Sequence, residues 1–253
     1  MRLIVVFLLL LVSKTFAASV VTVTPITESM SRALLIDTPI EVVYLPPKRL
    51  PINRISSWLN KHRTDPMAPF DSIVNISSMR PDLNFYSTVR SRNIHVIPID
   101  IAEALLPGGE RVAVQKPNEY FWLNPNNALL MLGILKRDLS LIWPEYAPQI
   151  AHQHQKVSQS LRQIALELED SLLESGYEAI LNASGNTQPF TKGLLLPTLS
   201  KQESNEATSL KILTVSTKKS VDQWLVDDFS RHSKTTFINR WKATLENLNR
   251  LHK

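Results

Sequence analysis

The chain lacks cysteine altogether, and glycine is scarce, with six among 253 residues. Without cysteine, no disulfide can staple the fold and no lipid-modified cysteine can tether it, so a packed core must hold the chain together. Gly108 and Gly109 fall in a Leu-Leu-Pro-Gly-Gly-Glu segment that is typical of a turn. A glycine-rich phosphate loop, which common nucleotide-binding enzymes need, is therefore not indicated.

Long apolar runs are also missing, except at the start. Arg2 precedes an uninterrupted apolar run over residues 3–12, and polar residues then lead to Ala17. A charged start, a short apolar segment and a small-residue end are typical of a secretory signal peptide, cleaved here after Ala17. The run is too short for a stable membrane span, and nothing later approaches 18 consecutive apolar residues. We therefore expect residues 1–17 to be a signal peptide and the remainder to be exported to the periplasm without a membrane anchor.

Excess charge of one sign is slight. The formal net charge is +5, and loss of Arg2 and Lys14 with the signal would lower it by two units. The basic residues are dispersed, and no basic stripe with interleaved aromatic residues is found. Nucleic acid is therefore not an expected partner.

Strand and helix patterns alternate along the chain, which is typical of parallel α/β units. Residues 146–173 contain no glycine and carry apolar residues at helical spacing, which predicts one long amphipathic helix of about 40 Å. A shorter apolar helix is predicted just before it, from residue 126 to Trp143. Strands are predicted near residues 20–23, 41–44, 71–77, 93–99, 177–184 and 210–217, a polar loop at 197–209, a short helix at 220–229, and a terminal helix at 235–251.

Four stretches in this order resemble the zinc/manganese-type solute-binding proteins of bacterial ABC importers. The most specific is EYFWLNPNNALLMLGIL (119–135), because Trp-Leu-x-Pro entering a helix recurs in that family. The others are VVYLPPKRLP (42–51), NIHVIPID followed by LLPGG (93–109), and WPEYAPQIAHQHQKV (143–157). The resemblance covers about residues 20–183. It implies a metal ion between two α/β lobes that a stiff helix joins, held by three histidines and a carboxylate.

The resemblance also implies where those metal ligands would lie, and most positions do not hold them. The first histidine position falls on Ile52 or Asn53, the second on Tyr120, the third on Leu181 or Asn182, and the carboxylate on Asp227 or Asp228. A phenol with an ordinary pKa near 10 is a poor zinc ligand at neutral pH. We therefore expect no metal cofactor, since metal binding through the family's ligand set is disfavoured. Our candidate ligand-binding residues are Asn53, Tyr120, Asn182, Asp227 and Asp228.

The expected fold is α/β, with two Rossmann-like lobes joined by one long helix. Compared with the family, the second lobe is reduced, because about 78 residues follow residue 175. We divide the chain into a signal peptide (1–17), an N-terminal lobe (18–144), a connecting helix (145–175) and a reduced C-terminal lobe (176–253).

The function implied by the resemblance is that of a periplasmic solute-binding component of a metal-related ABC import system. Its altered site would take a metal chelate, another ion or a small organic solute, with Tyr120, Phe121 and Trp122 as an aromatic wall or simply as core. An ABC permease or a related periplasmic protein is the expected partner, and we expect a monomer without enzymatic activity.

Two alternatives stay open. An accessory protein that has lost solute capture would dock on a permease or another protein, and a collapsed apolar seam near Tyr120 would favour it. A polar cleft around Tyr120 would favour binding. A hydrolase using His232 with Asp227 or Asp228 is the least favoured, because no nucleophile motif accompanies them.

Overall fold

A computed structural model describes residues 18–105, 108–114 and 119–251. The predicted signal peptide lies outside the described residues. Among those residues, no helix combines the length and apolarity needed to cross a bilayer.

The first lobe is built on a four-stranded parallel sheet. Its strands lie in the order β2-β1-β3-β4, so that β1 lies between β2 and β3 and pairs with both. Val21 and Ile73, which are paired neighbours in β1 and β3, are fully buried, as expected of a parallel sheet covered on both faces. The strands are β1 (Ser19–Thr22), β2 (Glu41–Tyr44), β3 (Ser72–Asn75) and β4 (Ile97–Asp100).

Four helices accompany this sheet. Thr24 caps the first one by accepting from the Thr27 backbone N–H, and Asn124 caps the fourth in the same way through Asn126 and Asn127. Proline follows each of these two caps at the first helical position, where it costs no hydrogen bond. The helices are α1 (Pro25–Leu35), α2 (Ile55–Lys61), α3 (Tyr86–Arg90) and α4 (Pro125–Ile142).

The predicted long helix is present as α5 (Ala147–Ser175), with 29 residues and a length of about 44 Å. It ends at Gly176, whose φ of 69° is the left-handed conformation that favours glycine at a helix end. Its buried stripe packs against α1 and α4, and also against the last helix of the chain. The stripe includes Ile150, Val157, Leu161, Ile164, Leu168 and Leu172.

The second lobe carries another four-stranded parallel sheet, in the order β6-β5-β7-β8. Two of its strands have two residues each. The strands are β5 (Ala179–Asn182), β6 (Thr198–Leu199), β7 (Ile212–Ser216) and β8 (Trp224–Leu225), and the helices are α6 (Gln188–Thr191), α7 (Lys201–Glu206) and α8 (Phe237–Arg250). The predicted fold class is confirmed.

Two local predictions for this lobe were wrong. The predicted helix at 220–229 is instead β8 and a turn, because Trp224 pairs with Val215 and donates its indole N–H to the Thr244 carbonyl at 2.8 Å. The predicted polar loop at 197–209 contains β6 and α7, which starts at a Ser200–Glu203 capping box.

Candidate functional site

The two lobes meet through residues that follow their strands. The Ile52 backbone N–H donates to the Ser230 carbonyl at 2.9 Å, and the Trp122 indole N–H donates to the Asp228 carbonyl at 3.1 Å. We call the contact between residues 120–123 of the first lobe and residues 226–230 of the second the interlobe seam. Ligands of open parallel α/β sheets bind beyond the carboxyl ends of the strands, so this is where a site is expected.

The Trp-Leu-x-Pro element sets the first-lobe side of the seam. Phe121–Leu123 forms a 3-10 turn whose three side chains are buried, and the Asn124 side chain then caps α4. Asn127, one turn into α4, donates to the Phe121 carbonyl at 2.9 Å. The residue just before this turn, Tyr120, is therefore held in a defined place at the seam.

The Tyr120 phenol is nearly buried, with 8% of the residue exposed, and its ring stacks on Trp122 at 4.8 Å between centroids. Burial, together with the negative charge of Asp228, raises the pKa of Tyr120 to about 12, and the positive charge of Arg80 partly opposes this rise. The phenol is therefore protonated at neutral pH, where it can donate a hydrogen bond but is a poor metal ligand.

Asp228 supplies the carboxylate of the seam and is half-buried. One carboxylate oxygen accepts from the Ser230 backbone N–H at 2.9 Å, and the other accepts from the Asn186 amide at 3.4 Å, which is long. The second oxygen is thus loosely held and has the capacity to accept from, or bind to, an incoming group.

Two further residues act on Tyr120 and Asp228, although our sequence analysis missed them. The charge of Arg80 influences Tyr120, and the Asn186 amide donates to Asp228. Arg80 follows β3, is 5% exposed, and makes a paired hydrogen bond to Asp82 at 2.9 and 2.8 Å. Asn186 follows β5. Their position just beyond strand ends was the signal that could have identified them.

The other predicted site residues are engaged differently. The Asn182 amide donates to Thr191 and accepts from Thr187, both at 2.9 Å. Asp227 forms a paired salt bridge with the buried Arg240 at 2.7 and 2.6 Å. Asn53 lies exposed on the 3-10 turn Ile52–Arg54. The structure thus brings together Tyr120 and Asp228, while Asn182 and Asp227 are used in hydrogen bonds within the second lobe.

Phe229, the residue after Asp228, has an unusual backbone conformation and a buried ring. Its φ of 54° is unusual for a bulky residue, and the Asp227 carboxylate accepts from its backbone N–H at 2.9 Å. The ring is 1% exposed, packs against Phe237 and Trp241, and lies under the Arg240 guanidinium at 3.9 Å. The seam therefore combines an apolar wall with the polar Tyr120–Asp228 group.

Metal-ligating side chains are sparse. Among residues 18–105, 108–114 and 119–251, no group of three or more His, Cys, Asp or Glu side chains is arranged to hold a metal ion. His232, considered above with Asp227 and Asp228, instead faces Glu28 at 3.4 Å.

No family model matches the chain, and no curated protein matches its sequence. Solved structures do match its fold. Zinc-bound AdcA from Streptococcus pneumoniae superposes with a TM-score of 0.62 at 13% identity, over 93% of this chain and 57% of AdcA. ZnuA gives 0.62 at 15% identity, over 94% of this chain and 100% of ZnuA. A cadmium-bound periplasmic metal-binding protein from Candidatus Liberibacter asiaticus gives 0.65 at 12%, over 92% and 99%.

These likenesses establish that the chain has the fold of periplasmic metal-binding proteins, and they confirm the resemblance inferred from its sequence at that level. The prediction that the protein has no metal cofactor is contradicted, because neighbours with this fold hold zinc, cadmium or manganese. That prediction gave too much weight to the missing histidines and too little to the retained two-lobe frame.

Proposed function

We propose that the chain is an exported solute-binding component of a metal-related import system, which hands its cargo to an ABC permease. The observation that carries the proposal is how Tyr120 and Asp228 are joined at the interlobe seam: the Tyr120 ring stacks on Trp122, and the Trp122 indole N–H donates to the Asp228 carbonyl. Asp228 lies beyond the carboxyl end of β8, where ligands of parallel sheets bind. Neighbours of this fold that hold metal ions support it. The role is binding and delivery rather than catalysis.

The proposed cargo is a metal that arrives with its own organic ligands. A closed protein site needs about four ligands for zinc, whereas the seam offers one loosely held carboxylate, Asp228. A chelate would need fewer protein ligands. The protonated Tyr120 hydroxyl suits an anionic group of such a complex, and the rings of Tyr120 and Trp122 suit its apolar part.

We assign supporting roles to the remaining candidate residues. Asn182 and Asp227 hold the loops that present Asn186 and Asp228, and Asn53 follows Ile52, whose backbone joins the lobes. Entry of a cargo would part the lobes and break the Ile52–Ser230 and Trp122–Asp228 hydrogen bonds, which reform on closure.

A second candidate function is favoured by the apolar half of the seam. Phe229 and Trp122 are almost completely buried there and the lobes bond directly to each other. An accessory protein that docks on a permease or another periplasmic protein would have this closed seam and would capture no solute.

Metal analysis and titration distinguish the two functions. The exported protein is purified without chelators, its metal content is measured by mass spectrometry, and it is titrated calorimetrically with Zn²⁺, Mn²⁺ and ferric citrate. We expect binding that Asp228→Asn weakens by about tenfold or more, since hydrogen bonds to charged groups contribute about 1.5–3 kcal/mol. Asp222→Asn, which neutralises an exposed carboxylate of the same lobe, is the matched control.

The same experiment can overturn the proposal. If no ion or complex binds, or if Asp228→Asn binds as tightly as the unchanged protein, capture at the seam is excluded. Co-purification with a permease in the absence of any cargo would then support the accessory function.

A further inference from the structure

A large cavity lies beside the interlobe seam, on the side of the connecting helix. Its volume is about 880 Å³, and it is bordered by α1, β2, α5 and the segment that leads into α8. Tyr120 and Asp228 do not line it. Small-molecule sites typically have volumes of about 300–1,000 Å³, so the cavity is large enough for an organic ligand.

The inner end of the cavity holds a buried carboxylate that is already neutralised. Glu28 is 2% exposed, pairs with Arg32 one turn along α1, and faces the His232 imidazole at 3.4 Å. Its negative charge therefore does not repel an incoming anion strongly. Apolar side chains, including Leu35, Val42 and Val157, form part of the wall.

Cationic side chains from separate elements surround this apolar wall. They are Lys48 after β2, Lys156 on α5, Lys234 before α8 and Lys242 on α8, all exposed to solvent. Besides Glu28, one carboxylate, Glu41, lines the cavity. The amino-terminal end of α8 also borders it, and the helix dipole adds positive potential there.

The positive region has a clear limit along the groove between α5 and α8. Beyond Lys242 the groove continues into a second cavity of about 490 Å³, where Glu167 and Glu246 form part of the lining. Positive charge is therefore concentrated at the first cavity and does not extend along the whole groove between α5 and α8. We therefore expect an anion to bind in the first cavity rather than elsewhere along this groove.

We propose that this cavity binds a small organic anion with an apolar body and one or more carboxylate or phosphate groups. A bare inorganic ion would not cover the apolar wall. A neutral apolar molecule would not interact with the surrounding lysine charges. This site is separate from the seam and does not rest on the function proposed for Tyr120 and Asp228.

Calorimetric titration with chosen probes tests the chemistry. The purified protein is titrated with 2-naphthoate, 2-naphthyl phosphate, inorganic phosphate and the neutral 2-naphthylmethanol. We expect at least one naphthyl anion to bind, and the neutral analogue and inorganic phosphate to bind about tenfold or more weakly. The two naphthyl anions distinguish a carboxylate ligand from a phosphate ester. Equal binding of the neutral analogue, or no binding of either naphthyl anion, would overturn the proposal.

Charge reversal then tests the location. Lys156→Glu combined with Lys242→Glu replaces two attractions by repulsions and should weaken binding of the naphthyl anion by about tenfold or more. Lys201→Glu combined with Lys219→Glu changes the net charge equally at exposed positions that do not line the cavity. All four lysines are exposed, so both variants should unfold at the same temperature as the unchanged protein.

The outcomes separate this site from the seam. If the cavity variant binds the naphthyl anion like the control variant, the cavity is not the site. Asp228→Asn should leave naphthyl anion binding unchanged, because Asp228 does not line the cavity. A loss of binding in Asp228→Asn with retention in the cavity variant would move the anion to the seam and overturn the proposal.

Discussion

The indole N–H of Trp122 donates a 3.1 Å hydrogen bond to the backbone carbonyl of Asp228 and so joins the two lobes at the candidate site. Trp122 is completely buried and stacks on Tyr120, while the side chain of Asp228 faces the Ser230 backbone and Asn186. One residue therefore both packs the first lobe and positions the carboxylate-bearing loop of the second. The Trp-Leu-x-Pro element therefore has a structural role that does not depend on a metal ligand at residue 120.

Replacement of Trp122 by Phe should destabilise the protein by about 2–4 kcal/mol, because it removes the interlobe donor and leaves a cavity in the core. The measurement is the free energy of unfolding from a urea titration. Trp58→Phe is the control, since Trp58 is partly exposed and stacks on His62. A change in Trp122→Phe no larger than that in the control would show that this hydrogen bond and ring are not important for joining the lobes.

Stability should fall in alkaline solution through Tyr120. Its pKa is raised by burial to about 12 in the folded protein, against about 10 when unfolded, so folding favours the protonated phenol. The contribution is fully present below pH 10 and is lost as pH rises from 10 towards 12, by on the order of 2 kcal/mol.

The Tyr120→Phe variant should lose less stability than the unchanged protein between pH 10 and 12. Some slope will remain, because burial and the charge of Glu28 also raise the pKa of Tyr44. Urea unfolding at a series of pH values measures both slopes. Identical slopes would mean that Tyr120 titrates in the folded protein as it does when unfolded.

Features that depend on neighbouring residues could be predicted from the sequence. The β2 strand, the helical spacing of α5, and the proline that opens α4 follow from local patterns of side chains, and they appear as expected. The two-lobe arrangement, in contrast, was implied by the resemblance to the zinc/manganese-type solute-binding proteins.

Features that depend on distant contacts could not be predicted. Trp224 lies in a segment with a helical pattern, yet pairing with Val215 and the bond to Thr244 make it a strand. Asp227 and Asp228 are adjacent and chemically alike, so the sequence alone did not tell which one Arg240 would neutralise. The position of Arg240 in the fold determines that Asp228, and not Asp227, is left without a cationic partner among the described residues of the second lobe.

Acidification should destabilise the protein through His232. Burial lowers the pKa of this imidazole, as do the positive charges of Lys48 and Arg32, while Glu28 opposes the shift. A folded pKa below the ordinary 6.5 means that the unfolded chain binds the proton more readily. Stability is therefore fully present above pH 6.5 and is lost as pH falls below it.

The His232→Gln variant should flatten the decline of stability between pH 6.5 and 5. His154 contributes a decline of the same sign, because burial and the charges of Lys136 and Arg162 lower its pKa too. His154→Gln is therefore the matched comparison, and each variant should remove part of the slope. A slope unchanged by His232→Gln would mean that the Glu28 charge fully offsets the burial of His232.

Substitutions of Asp227 and Asp228 should differ in their effects on stability and on cargo binding. Arg240 is 4% exposed, and its paired salt bridge to the partly exposed Asp227 means that Asp227→Asn leaves a buried guanidinium poorly neutralised. We expect Asp227→Asn to lower the free energy of unfolding by about 2–3 kcal/mol, which is less than the cost of breaking a fully buried pair because Asp227 is partly exposed.

Asp228→Asn should lower the free energy of unfolding by less than about 1 kcal/mol, because its carboxylate accepts one good hydrogen bond and one long one. The order should reverse for cargo affinity, which Asp228→Asn weakens more than Asp227→Asn does under conditions where both variants are folded. If both variants lose stability and affinity in the same proportion, the two carboxylates act as one structural unit, and Asp228 has no separate role in binding.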